Sequence, residues 1–245
     1  MNCKTLVIGS GYSSLGYAMS HDDTLIAEAL ELTDVSFGAP LRLFESDSVP
    51  APDAPSRALY DYYLSLGVIE GNKINASALE CGFSGFALDN GVRIMLKSRV
   101  ISVEEECGGY CCRVITNSGI ITVRAERVID MRPSGDRFMT FLFTASDDAA
   151  LCAIADAFPR GRVVPAFYEG RYALILPVGS ADEISSLKAQ VYSRWGEVSS
   201  GAKLLYTAPY SFCVGSGGSL PLDSAYTDPF SAYDAGYLYE TEGER

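Results

Sequence analysis

The hydrophobic pattern begins with an unbroken apolar run, Leu6-Val7-Ile8, as expected of a strand buried on both faces in a parallel sheet. Gly9 and Gly11 follow at once, so the strand turns tightly into a helix, and Thr24–Ala27 read as a second strand that ends on Glu28. From Ala29 to Pro55 the pattern is irregular, with one strand-like piece at 41–45 and a proline-rich loop after it. Ala54 to Leu66 is predicted helical, placing Leu59, Tyr62, Tyr63 and Leu66 on one face, with Gly67 as its stop. A further helix starts at Asn75, runs through Leu79 and Phe83 to Leu88, and closes at Asn90-Gly91. Val92 to Glu105, Tyr110 to Thr116 and Ile120 to Arg124 then alternate as strands. Turns at Gly108-Gly109 and Asn117-Ser118-Gly119 join them into a three-stranded meander that leads to a last apolar strand, Ala125 to Asp130.

Beyond this the periods predict strand Phe138–Thr144, a helix at 147–158, strands near 162–168 and 172–177, a helix at 181–195 and a strand at 203–210. That β-α-β-β-α-β order suggests a small antiparallel sheet backed by two helices. Arg162, Tyr168, Arg171 and Tyr172 are candidates to face a ligand pocket on it.

The first turn carries the candidate chemistry. Gly9 and Gly11 form the start of a G-x-G-x-x-G fingerprint in which Ser14 takes the third glycine's place, with Gly16 two residues later. Gly9 permits the turn, Gly11 keeps side-chain atoms away from a pyrophosphate, and a helix N-terminus offers unpaired N–H groups and partial positive charge. Gly9, Gly11, Tyr12, Ser13 and Ser14 are therefore the candidate phosphate-binding residues. Glu28, 17 residues beyond Gly11, stands where a carboxylate accepts hydrogen bonds from both ribose hydroxyls of an adenosine. A second reading gives that role to Glu45, which lies too far from Gly11 for the usual spacing. The whole unit is shorter than the usual ~30 residues, so its helix is expected to be short.

Composition narrows the partners. The 245 residues carry a formal charge of −12, which argues against nucleic acid or an anionic membrane. No apolar run approaches the ~20 residues that span a bilayer, and no signal-peptide core is evident, so the expected compartment is the cytoplasm. Seven irregularly spaced cysteines in hydrophobic surroundings fit reduced core residues. Cys107, Cys111 and Cys112 sit around a hairpin turn without a histidine or a second cysteine pair, and no metal site is expected. The single histidine, His21, reads as a solvated helix-end residue, which leaves no histidine-based acid–base chemistry.

The order strand, G-x-G-x-x-S-x-G turn, helix, strand, helical stretch, meander with an N-S-G turn and then R-A-E-R-V-I-D resembles the FAD-binding domain of flavin-dependent oxidoreductases. More narrowly it resembles the glutathione-reductase-type families, in which a meander leads to an A-x-x-V-I-D-A-T-G-D strand. Residues 137–145, R-F-M-T-F-L-F-T-A, resemble the first strand of the substrate domain in that group. The chain departs from the pattern at Met131-Arg132-Pro133-Ser134-Gly135-Asp136, where the family has A-T-G-D covering the cofactor. The segment from Gly215 through Asp223 and Asp228-Pro229 to Gly236 is similar to the one that closes the FAD domain in flavin hydroxylases, although Leu222 replaces the glycine of its G-D pair. The resemblance implies an α/β fold: a Rossmann-like FAD-binding domain with the meander (1–136 and 216–245), and an inserted α+β substrate-type domain (137–215). It further implies FAD contacts from Val100, from Asp223 at the ribityl chain, and from Pro229 and Phe230 at a helix start facing the flavin.

The sequence thus points to an FAD-dependent oxidoreductase acting on a small molecule, with no assignable catalytic residue. A non-catalytic or degenerate protein of the same fold, holding FAD, another adenine nucleotide or nothing, in a sensory, structural or partner-binding role, is the alternative. A single-Rossmann NAD-binding protein fits the meander less well. There is no second dinucleotide turn, C-x-x-C pair, P-loop lysine or G-x-S-x-G elbow. Electrons are expected from the substrate, a transiently bound nicotinamide or a protein partner.

Overall fold

Leu6 and Val7 point to opposite faces of one strand, and both are fully buried, which requires covered faces and a neighbour along each edge. The computed structural model describes residues 1–42, 49–71, 73–198, 201–215 and 218–240. In chain order its first elements are β1 (Asn2–Ile8), α1 (Tyr12–Ser20), β2 (Thr24–Ala27), α2 (Arg57–Ser65), β3 (Ile69–Glu70), β4 (Lys73–Ile74) and α3 (Ala76–Asp89). Next come β5 (Arg93–Met95), β6 (Arg99–Glu106), β7 (Gly109–Thr116), β8 (Gly119–Asp130) and β9 (Asp136–Ala145). The remainder is α4 (Asp148–Ala157), β10 (Arg162–Pro165), β11 (Arg171–Val178), α5 (Ile184–Val198), β12 (Ala202–Thr207), β13 (Phe212–Val214) and α6 (Pro229–Tyr237). Single 3₁₀ turns precede α5 and α6, at Ala181–Glu183 and Asp223–Ala225.

A six-stranded sheet has the order β5-β2-β1-β8-β7-β6. β1 pairs in parallel with β2 on one edge and with the second half of β8 on the other, where Ile8 lies opposite both Ala27 and Asp130. The chain leaves β1 towards β2 on one side and returns as β8 on the other, so the C-terminal end of β1 is a topological switch point. Alternation along the strands divides the burial. Leu6, Leu25, Val114 and Val123 fill one face, whereas Val7, Tyr17, Ile26 and Ile129 fill the face under α1.

Two expected strand boundaries change. Val92 to Glu105 is two strands, because Lys97 adopts φ 51° and breaks the run; β5 joins β2 in parallel and β6 pairs with β7. Ile120–Arg124 and Ala125–Asp130 are one twelve-residue strand whose first half pairs antiparallel with β7. The strand-like piece at 41–45 starts instead in a turn, with Leu41 at φ 52°, and residues 43–45, Glu45 included, lie outside the described residues.

The other sheet is antiparallel, ordered β10-β11-β9-β12, with β13 pairing the opposite end of β9. Met139, Phe141 and Phe143 pack with Ile154 of α4 and Val191 and Trp195 of α5. Side-chain caps start the helices where the sequence offers them: Asn75 for α3, Asp147 for α4 and Asp228 for α6 accept amide N–H groups of the first turn.

α6 brings the C-terminal part of the chain back onto α1. A Cβ at Gly16 would run into the Tyr233 carbonyl, and one at Gly236 into the Ser13 carbonyl. Neither obstacle is a flexible side chain. Gly236→Ala is therefore expected to lower stability by roughly 1–3 kcal/mol, the usual cost of overpacking. Denaturant unfolding measures this, and an unchanged midpoint would contradict the close α1–α6 contact.

Candidate functional site

The turn after β1 lies at the switch point and is built as the glycines require. Gly9 has φ 97°, and a Cβ there would press on the backbone of Arg132. Gly11 has an extended backbone that any residue adopts. What it needs is space, because a Cβ would collide with the Asp223 carboxylate and approach the Ser36 hydroxyl.

The amides of this turn are not free, which corrects the expectation of unpaired donors. Gly9 donates to the Ala27 carbonyl (2.9 Å) and Ser10 to Glu28 Oε2 (2.8 Å). Gly11 donates to Ser14 Oγ (2.8 Å), Tyr12 to Asp223 Oδ2 (2.8 Å) and Ser13 to Asp223 Oδ1 (2.7 Å). Buried N–H groups must find acceptors, and two carboxylates from distant parts of the chain supply most of them. Glu28 is likewise committed: its Oε1 accepts from the Leu30 amide (2.8 Å), and the residue is buried. Asp223, expected at the ribityl chain of a cofactor, caps α1, whose own N-cap residue has no side chain.

The segment 33–42 closes the site from the front, and nothing in its irregular hydropathy announced this. Asp34 is fully buried and accepts from the amides of Ser36 (3.2 Å), Phe37 (2.9 Å) and Gly38 (2.7 Å), an Asx-type turn. Phe37 meets the Tyr12 ring edge-on at 5.5 Å, and Tyr12 meets Phe83 at 5.1 Å. Arg42, also buried, lies over the Phe37 ring and donates to the backbone carbonyl of Asp223 at 3.2 Å. Thr140 of β9 donates to the Leu41 carbonyl at 3.1 Å, tying the second sheet to this segment. The short D-x-x-F-G spacing was the available signal for Asp34; Arg42 had none.

Other expected contacts fall around this centre. Val100 begins two residues after Ser98, whose amide donates to the Glu28 carbonyl (2.7 Å); its side chain packs in the apolar cluster with Leu6 and Val114. Pro229 is the first residue of α6, and Phe230 packs on Tyr60 and Tyr63, with its amide held by Asp228 (2.9 Å). In the departing loop Met131 is buried, Arg132 pairs with Asp130, and Asp136 begins β9. Arg171 stacks over Tyr168, Tyr172 packs on Phe143, and His21 stacks on Tyr17 at the end of α1. No cluster of three or more metal-ligating side chains occurs among the described residues. Nor is any described helix long and apolar enough to cross a membrane.

No family model matches the chain, and no curated protein matches it. Solved structures do. BexE, studied for oxidation during BE-7585A biosynthesis, aligns with a TM-score of 0.57 and 15% identity over 97% of this chain and 60% of its own. The two share a fold. A flavoprotein/dehydrogenase from Cytophaga hutchinsonii aligns with a TM-score of 0.51 and 13% identity, over 86% of this chain and 66% of its own. The flavin-dependent monooxygenase PieE, solved with FAD and substrate, aligns with a TM-score of 0.53 and 10% identity, over 87% and 50%. The chain thus spans between half and two thirds of the length of these solved proteins.

The turn suits the pyrophosphate of such a cofactor in kind: adjacent inward amides at a helix N-terminus, with no side chain at Gly11. In this conformation those amides already hold an anion, the Asp223 carboxylate, and Gly9 to Ser14 are all buried.

Burial lifts the Asp34 carboxyl to about 7, while its three amide hydrogen bonds pull the other way. In the unfolded chain the same carboxyl loses its proton near its ordinary value of about 4. The folded state thus binds the proton more tightly. That contribution is complete below about pH 4 and is lost as pH rises towards 7, with a slope of at most about 1.4 kcal/mol per pH unit. Asp34→Asn is expected to lack this part of the slope. Unfolding free energies of both proteins across that range test it, and parallel curves would contradict it.

Proposed function

We propose that this chain is a flavin-dependent oxidoreductase that acts on a small molecule and uses FAD. The observation that carries the reading is the turn from β1 into α1: at the switch point of a flavoprotein fold, its amides converge on negatively charged oxygen. Gly9, Gly11, Tyr12, Ser13 and Ser14 would hold the pyrophosphate, Glu28 the adenosine ribose, and the start of β6 at Val100 the adenosine end. Pro229 and Phe230 would place the start of α6 towards the flavin. FAD supplies the redox chemistry when bound; the chain's part is to bind it, orient a substrate and exclude water. Residues 1–136 with 216–245 form the cofactor unit in this reading, and 137–215 the substrate unit. A glutathione-reductase-type arrangement is the narrower assignment.

A second reading, a protein of this fold that holds no flavin and serves a structural, sensory or partner-binding role, draws on a different observation. Gly9 to Ser14 are sealed from water by the chain's own residues. Titration with FAD separates the two. Quenched flavin fluorescence, a shifted flavin absorption band and a raised melting temperature are expected, followed by screening of small molecules for flavin bleaching. Should FAD leave spectrum and melting temperature unchanged, both in the natural protein and after removal of the Asp223 carboxylate, the flavin reading is wrong.

A further inference from the structure

We propose that Asp223 is a built-in substitute for phosphate: its carboxylate occupies the anion cradle at the start of α1 and competes with a dinucleotide for it. The competitor's identity rests on the flavin reading above; the competition itself does not.

Three observations carry this. First, the two carboxylate oxygens take two successive first-turn amides, Tyr12 to Oδ2 and Ser13 to Oδ1, at 2.8 and 2.7 Å. A phosphate at a helix N-terminus uses the same donors, so both ligands cannot hold them together. Second, two hydroxyls beside this contact, Ser13 Oγ and Ser36 Oγ, are buried without a hydrogen-bond partner. Ser36 Oγ stands 3.1 Å from the point that a Cβ on Gly11 would occupy, which aims it into the cradle. The Asp223 carboxylate still has lone pairs to spare, yet from where it sits it bonds neither hydroxyl, whereas a pyrophosphate, with more oxygens, extends further. A buried hydroxyl without a partner at the cradle leaves a donor for an anion with more oxygens than a carboxylate. Third, the backbone under Asp223 is anchored separately from its side chain. Arg42 donates to the Asp223 carbonyl, the Gly215 amide donates to the Ser224 carbonyl (2.9 Å), and the Ser134 amide donates to Ser224 Oγ (3.3 Å). None of these anchoring contacts uses the Asp223 side chain, so they do not depend on its holding the cradle.

The consequence is a dinucleotide site that is closed at rest by a tethered anion. Any ligand must displace Asp223 from the α1 amides, so its apparent affinity is reduced by the fraction of molecules in the closed form. Taking the carboxylate away removes the competitor and leaves the amides in need of an acceptor.

The test measures melting temperature against inorganic pyrophosphate and against FAD for the natural protein, Asp223→Ala and Asp223→Asn. Without ligand, Asp223→Ala is expected to melt lower because α1 loses its cap. Pyrophosphate is expected to restore it, with an apparent affinity at least tenfold tighter than for the natural protein, and Asp223→Asn is expected between the two. FAD should follow the same order. Tight pyrophosphate or FAD binding by the natural protein that weakens in Asp223→Ala would overturn the proposal and make Asp223 a cofactor contact, leaving the flavin reading intact. Pyrophosphate rescue of Asp223→Ala without any response to FAD would uphold the competition and defeat the flavin reading. If Asp223→Ala does not fold, the comparison rests on Asp223→Asn; a folded variant indifferent to pyrophosphate overturns the proposal.

Discussion

The structure depends on how the first turn of α1 satisfies its amides. A glycine N-cap cannot do so, and the helix begins in the interior, where no water reaches it. Asp223 solves this from 210 residues away along the chain. To bring the carboxylate there, the C-terminal part must lie against α1, and the glycine-to-backbone contacts of Gly16 and Gly236 make that approach close enough. The first and last parts of the chain are thereby locked into one core, with Tyr12, Phe37, Tyr63, Phe230 and Tyr233 in a single apolar cluster.

The same constraint couples fold to function. A turn able to grip a pyrophosphate must present amides to a negative charge, and without a ligand those amides need another acceptor. Some proteins leave such a cradle open to water. Here Asp34, Phe37 and Arg42 cover it, and Glu28 and Asp223 fill its donors. Sealing the site stabilises the ligand-free chain at the expense of ligand access. The stretch 33–42, held to α3 by the hydrogen bond of Thr33 to Ser84 and to β9 by Thr140, is therefore as much a part of the site as the glycines.

Much of this was legible in the sequence, for definable reasons. Leu6 to Ile8, Gly9 and Thr24–Ala27 are local signals, in which hydropathy and backbone freedom act within a few residues. Asn75, Asp147 and the Asp228-Pro229 pair announce helix starts by side-chain chemistry that is also local. What stayed hidden is non-local. Arg42 looks like a surface residue until its partner, the Asp223 carbonyl, is in place, because its burial is decided by a distant acceptor. The continuity of β8 was obscured because its halves pair with different strands in opposite senses. The place of Asp223 on α1 depends on helix packing that no local pattern encodes.

Amide hydrogen exchange at Tyr12 and Ser13 in the ligand-free protein tests the central claim most directly. A helix without a cap exchanges its first-turn amides readily, since they have no partner within the helix. The closed cradle predicts protection at both positions comparable to the sheet amides of β1, and loss of that protection in Asp223→Ala while β1 remains protected. Rapid exchange at Tyr12 and Ser13 in the natural protein would mean that the carboxylate does not hold the helix start and that the cradle stands open.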